Sequence, residues 1–209
     1  QSEADLEKEF IRLLKEQSYE YLNIHQEADL VDNIRKQLED LNDFKFSDDE
    51  WNRFFLNSIG NPNNGIVEKT RIIQEDYIQV LKKDDGISKN IYLLDKKNIH
   101  MNKLQVINQY VNNDGRHDNR YDVTILVNGL PLVHVELKRR GVAIKEAFNQ
   151  IERYQRDSFW AGLGLYEFIQ IFVISNGTNT KYYSNSTRFN HIKNTTTKIA
   201  IAFSFNLFP

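Results

Sequence analysis

Asp122 and Glu136 stand fourteen residues apart, and Lys138 follows the second carboxylate by two positions. Two carboxylates can hold one or two Mg²⁺ ions through hard oxygen ligands. An ammonium group beside them can stabilise the charge that builds on a phosphoryl oxygen. The set therefore suits metal-assisted hydrolysis of a phosphodiester, DNA included. Glu-x-Lys is a common spelling, and a half-solvated hairpin carrying ordinary surface charges is the competing reading. Local geometry has to separate the two.

Residues 121–128 and 130–138 alternate apolar and polar positions on either side of Asn128-Gly129, a strong hairpin signal. Val123, Ile125 and Val127 share one face of the first strand, and Asp122 and Thr124 the other. In the second strand Val133, Val135 and Leu137 oppose His134, Glu136 and Lys138. A two-residue turn would pair Val127 with Leu130, set Asp122 against Val135 and separate the carboxylates. A three-residue turn with Gly129 as a left-handed bulge residue sets Asp122 opposite His134 and diagonal to Glu136. The pattern predicts that bulged turn. A helix is predicted next over 143–158, with Ile144, Ala147, Phe148 and Ile151 as its apolar stripe. Gln150 and Tyr154, four apart, are neighbours on that helix.

These residues resemble a known family. Asp122, Glu136-x-Lys138 and Gln150-x-x-x-Tyr154 are similar to the PD-(D/E)xK nuclease signature with the Gln-x-x-x-Tyr extension of its RecB-like branch. More closely, NQYVNNDGRHDNRYDVTILVNGLPLVHVELKRRG and AFNQIERYQRDSFW resemble the amino-terminal domain of the R (restriction) subunit of type I restriction enzymes, a likeness that covers roughly residues 1–185. The resemblance implies that Asp122 and Glu136 are Mg²⁺ ligands and that Lys138 orients water and stabilises charge. It implies that Gln150 and Tyr154 contact DNA or brace the site, and that an acidic residue on the first helix completes it. Glu7 takes that role here, with Glu3 and Glu9 as competitors. The implied activity is Mg²⁺-dependent cleavage of double-stranded DNA. The implied partners are the modification (methyltransferase) and specificity subunits and the subunit's own helicase motor, which alone would bind ATP.

Other residues near the site are less pointed. His134 shares the polar face with Glu136 and reads first as a partly buried structural histidine, with contact to DNA or a metal-bound water as the competing reading. Arg116, His117 and Arg120 precede Asp122, and Lys138, Arg139, Arg140 and Lys145 follow Glu136. Together they could line a phosphate track, or they could be solvated surface charges.

With 27 basic and 29 acidic residues, the chain carries a net charge of −2. A free-standing DNA binder would be more basic, so other domains or subunits are expected to hold the DNA. The 209 residues include no cysteine, no eighteen-residue apolar run and no signal-peptide pattern, which suits a cytoplasmic protein. No Gly-x-x-x-x-Gly-Lys-Ser/Thr loop is present. Opening on Gln1 rather than methionine is expected of a trimmed piece of a longer subunit.

The elements around the site complete the expectation. Residues 3–17 form a helix with Leu6, Phe10, Leu13, Leu14 and Gln17 along one side, capped by Ser2 with Asp5. Residues 28–60 form a helical insertion of two helices divided near Phe46, with Ser47 capping the second. Strands are predicted at 77–82, 91–94 and 105–111, where Asn108 and Gln109 could reach DNA but read first as plain strand-edge surface amides. Further strands are predicted at 168–175, as a central strand, and at 180–184. The whole is an α/β domain over 1–190: a PD-(D/E)xK restriction-endonuclease-like core with a mixed central sheet flanked by helices. Residues 191–209 read as a terminal strand or the start of a following motor domain. A RecB-like or junction-resolving repair nuclease, and a catalytically silent docking domain of the same fold, are the alternatives.

Overall fold

The computed structural model describes residues 2–112 and 119–185. The expectations for Arg116 and His117 and for residues 191–209 lie outside the described residues. The element order is α1 (Glu3–Glu16), β1 (Glu20–Tyr21), α2 (Glu27–Asn42), α3 (Asp48–Ser58), α4 (Ile66–Gln74), β2 (Ile78–Lys82) and β3 (Ser88–Tyr92). There follow β4 (Leu104–Asn112), β5 (Asn119–Val127), β6 (Leu130–Leu137), α5 (Ile144–Asp157), β7 (Ile171–Ser175) and β8 (Thr180–Ser184). Six strands form one mixed sheet in the order β1-β4-β5-β6-β7-β8, and β2 and β3 pair apart from it. No helix among the described residues is long and apolar enough to cross a membrane.

Helix α1 covers one face of the sheet. Ser2 Oγ accepts Asp5 N–H at 3.1 Å, and the Asp5 carboxylate returns the bond to Ser2 N. Leu6, Phe10 and Leu14 then pack on Val106, Val123, Val135 and Leu137. Leu13 and Gln17 do not join them; the buried stripe is narrower than the sequence suggests. The other face carries the larger core, into which α2 sends Leu30, Ile34 and Leu38 and α3 sends Trp51, Phe54 and Phe55. These two helices pack on the core, forming its wall on that side. Ser47 caps α3 as expected, accepting Glu50 N–H at 3.1 Å. Helix α4 was not anticipated; Ile72 and Ile73 anchor it to the same core. Strand β3 begins three residues before the predicted 91–94, and β7 begins three residues into the predicted 168–175, where Leu165–Phe168 coils into a 3₁₀ turn instead.

The turn between β5 and β6 departs from the expectation. Val127 pairs with Leu130, so Asn128-Gly129 is a two-residue turn, both residues at positive φ (50° and 82°). The extra residue falls later: Leu126 pairs with Pro131 but Ile125 with Val133, leaving Leu132 as the bulge. Pro131 has no N–H to give the ladder, so the ladder yields beside it. Thr124 consequently faces His134, and the register carries Asp122 toward Glu136 rather than toward His134. The bulge moved, and the two carboxylates still meet.

A second irregularity lies between β4 and β5. Their register runs Asn108↔Val123 and then Tyr110↔Tyr121, passing over Gln109 and Asp122. Gln109 has φ +53°, a left-handed conformation that β-strands do not use. Alternation slips by one residue at that point. Val106 and Val123 face α1, whereas Tyr110 and Tyr121 enter the opposite core.

Candidate active site

Beyond the Val123↔Val135 pair, β5 and β6 separate, and β6 continues against β7 through Glu136↔Ile174 and Leu137↔Ser175. Asp122 stands in the opening. Its Oδ2 accepts Leu137 N–H at 2.9 Å, replacing the backbone carbonyl that a regular ladder would supply. Lys138 N–H instead reaches Ser175 O at 2.8 Å. The carboxylate is thus fixed by the chain that carries Glu136.

Glu136 is fully buried, and its two oxygens are held separately. Lys138 Nζ donates to Oε1 at 2.9 Å, and His134 Nε2 lies 3.3 Å from Oε2. Burial disfavours the charge of Lys138, but Glu136, Asp122 and Glu3 outweigh it and raise its pKa. Glu3 Oε2 stands 3.9 Å from the same ammonium. Asp122 is pushed the other way for a carboxylate: burial first, and then the Glu136 charge, raise it from 3.8 to about 7. The Leu137 N–H and Lys138 only partly offset that rise, and Glu7 adds to it. A fully buried Glu136, held by the Lys138 ammonium, thus stands near enough to the partly buried Asp122 to oppose its charge.

Glu7 reaches this end of the sheet from α1. Asn108 Nδ2 and Gln109 Nε2 each donate to one of its carboxylate oxygens. Of its competitors, Glu9 pairs with Arg12, while Glu3 accepts Arg139 N–H at 3.3 Å and lies near Lys138. The reading of Asn108 and Gln109 as plain surface amides is corrected, because β4 is interior to the sheet, between β1 and β5. The sequence did carry a signal. In QVINQYV, two consecutive polar residues interrupt an otherwise apolar strand, which a regular alternation does not explain.

On α5, Gln150 donates to the Tyr154 hydroxyl, which in turn donates to Arg120 O at 3.1 Å. Burial, then the Glu136 charge, raise the Tyr154 pKa to about 12, so the phenol stays protonated and neutral. Tyr154 thus ties α5 to β5 two residues from Asp122. The Arg120 side chain is exposed.

His134 does not face solvent, so contact with DNA is excluded by its complete burial. It sits among Tyr121, Tyr154, Phe159 and Phe172, with ring centroids 5.7 to 6.5 Å away. Its Nδ1 is buried without a hydrogen-bond partner among the described residues. Both faces of the hairpin are buried, because α5 covers the side that alternation left polar. The half-solvated hairpin is excluded for the same reason.

No three Asp, Glu, His or Cys side chains among the described residues form a ready metal cage. Asp122 and Glu136 nevertheless fit a hard divalent cation. Carboxylate oxygens are hard ligands, Glu136 is fully buried, and its charge raises the cost of ionising Asp122, a cost that a cation would offset.

Residues 1–191 match the family described as type I restriction enzyme R protein N terminus. The chain belongs to this family. It is 53% identical over 189 residues to the endonuclease subunit of the type I restriction enzyme EcoprrI of Escherichia coli, covering 90% of this chain and 60% of that protein. A type I restriction enzyme endonuclease subunit of Staphylococcus saprophyticus is 42% identical over 191 residues, covering 89% of this chain and 20% of that protein. A putative type I endonuclease subunit of Methanocaldococcus jannaschii is 31% identical over 140 residues. The chain thus spans between about a fifth and three fifths of the length of the first two relatives. Membership in this family supports a nuclease role, and the Asp122–Glu136–Lys138 cluster lies within the matched span.

Proposed function

We propose that this chain is the Mg²⁺-dependent DNA endonuclease domain of a type I restriction enzyme R subunit, with a PD-(D/E)xK-type core. The observation that carries the reading is the convergence of Asp122, Glu136 and Lys138 where β5 and β6 part, with the charge of the fully buried Glu136 opposing that of Asp122. Such an arrangement destabilises the empty fold, as sites arranged for chemistry commonly do.

Asp122 and Glu136 would hold Mg²⁺, which when bound supplies a Lewis acid and a more acidic water. The chain's own groups do the rest. Lys138, steadied on Glu136 and raised in pKa, keeps its charge at neutral pH and stabilises the extra negative charge on the scissile phosphate. Glu7 adds a third acidic group from α1. Tyr154 and Gln150 hold the start of β5 against α5, and Arg120, exposed there, offers its guanidinium to the DNA backbone. His134 keeps Glu136 in place from beneath. Water attacks phosphorus in line, the bond to the 3′ oxygen breaks, and a 5′ phosphate and a 3′ hydroxyl remain.

The near-neutral charge of the chain supports a division of labour in which other parts of the enzyme capture the DNA. These are the ATP-driven motor of the same subunit and the modification and specificity subunits, with unmodified foreign DNA as the substrate. Calorimetric titration with Mn²⁺ tests the site. The chain should bind the ion, Asp122→Ala and Glu136→Ala should lose it while staying folded, and the same variants in the assembled enzyme should abolish cleavage. Cleavage that survives Asp122→Ala would refute the assignment, and a folded chain that ignores Mn²⁺ even with DNA present would favour a docking role.

A further inference from the structure

Successive residues of a strand point to opposite faces, so neighbouring side chains do not ordinarily grip one group. Asn108 and Gln109 do, each donating an amide N–H to a different oxygen of Glu7. What permits this is the left-handed backbone at Gln109, φ +53°, a conformation disfavoured for glutamine and more readily taken by glycine or asparagine. The same break displaces Asp122, its counterpart on β5, from the β4–β5 ladder. One strained residue thus frees Asp122 and fixes Glu7 at the same level of the sheet.

We propose that Asn108 and Gln109 form an amide clamp that presents the Glu7 carboxylate to the Asp122–Glu136 pair, as positioning residues for the metal site read in the preceding subsection.

The chemistry of the clamp favours orientation over neutralisation. Amide N–H groups bond to a carboxylate without cancelling its charge. Glu9 and Glu16 on the same helix are instead paired with Arg12, and Glu3 lies against Lys138. Glu7 is left held but still negative toward Asp122. The clamp is itself braced from β1 and the turn after it. Tyr21 Oη donates to Asn108 Oδ1 at 2.9 Å, which turns the amide nitrogen toward Glu7. His25 Nδ1 lies 3.3 Å from the Gln109 carbonyl, and Val111 N–H reaches His25 O at 2.9 Å. The two-residue strand β1, running parallel to β4 at Glu20↔Gln105 and Tyr21↔Val106, thereby gains a purpose.

Mn²⁺ titration of the full 209-residue chain, with thermal melting of every variant, tests the clamp. Gln109→Gly removes the amide yet suits the left-handed backbone, so it should melt no lower than wild type. It should nonetheless bind Mn²⁺ about tenfold more weakly, the usual cost of losing a partner that orients a ligand. Asn108→Ala and Glu7→Gln should weaken binding to a similar degree, and Tyr21→Phe, a milder change, should do so by a smaller factor. In the Glu7→Gln background, Gln109→Gly should add nothing, since the clamp acts only through Glu7. Losses that multiply in the double variant, or clamp variants that bind as wild type does, would overturn the proposal while leaving Asp122 and Glu136 as ligands. A wild-type chain that binds no Mn²⁺ would overturn both that reading and the clamp.

Discussion

Asp122→Asn should make the empty protein more stable, and increasingly so as pH rises. The folded carboxyl titrates near pH 7 against an ordinary 3.8, because burial and Glu136 oppose its charge. A folded value above the unfolded one means that the native chain holds the proton more tightly. The wild type is therefore unburdened below about pH 4 and loses stability as pH climbs through 7. At about 1.4 kcal/mol per pH unit, the displacement amounts to about 4 kcal/mol at pH 8 and about 1.5 kcal/mol at pH 5. Asparagine keeps an oxygen for Leu137 N–H but introduces an amide with no evident acceptor, a cost of about 1 kcal/mol. The net gain should be about 3 kcal/mol at pH 8 and about 0.5 kcal/mol at pH 5. Urea denaturation of both proteins at the two pH values, in chelator, reads this directly. Saturating Mn²⁺ should then stabilise the wild type and leave the variant unmoved. A variant that is no more stable at pH 8, or a gap that does not widen between pH 5 and 8, would refute the picture of two charges confined together.

Gly129→Ala should destabilise by about 3 kcal/mol in chemical denaturation, because its φ is +82° and an added Cβ would stand 2.7 Å from the Ile34 backbone. Tyr154→Phe removes the hydroxyl that links Gln150 to the Arg120 carbonyl, and should cost about 1 kcal/mol in the same assay. Its cleavage defect should exceed what that loss explains, since the start of β5 is freed beside Asp122. Lys138→Met strands Glu136 without its cation, at a cost of about 3 kcal/mol in chelator. Mn²⁺ should restore most of that stability, and cleavage should stay absent; retention of cleavage would remove Lys138 from the mechanism.

Much of this arrangement was legible because short-range patterns set it. The amphipathic stripe of α5, the caps at Ser2 and Ser47, and the alternation around Asn128-Gly129 are local matters, and each element stands where its residues place it. The register of the hairpin was harder. The extra residue sits after Pro131, which has no N–H for the ladder, while Ile34 of α2 packs close on Gly129 at the turn itself. The reading of His134 as a structural histidine holds, but the completeness of its burial was out of reach for a related reason. Alternation marks its face as polar, but α5, with Tyr154, and Phe159 just beyond it close over that face from far along the chain. Glu7 was chosen over Glu3 and Glu9 from helix spacing, but the amides that hold it could not be foreseen, since they lie on β4, about a hundred residues away.

The irregularities of the sheet are not scattered. Gln109 turns left-handed, Asp122 leaves the ladder, Leu132 bulges after Pro131, and β6 parts from β5 to follow β7, all along the two ladders of β5. A regular sheet could not build this site. Unbroken alternation would send the amides of Asn108 and Gln109 to opposite faces, and a full ladder would give the Leu137 N–H to a carbonyl of β5 instead of to Asp122. Without the bulge, Asp122 would stand against Val135 rather than meet Glu136. Each departure costs stability, and the opposed carboxylates cost more, so folding alone gives no reason to keep them. Substitutions that regularise these positions, Asp122→Asn foremost, should therefore stabilise the chain at the expense of metal binding and cleavage.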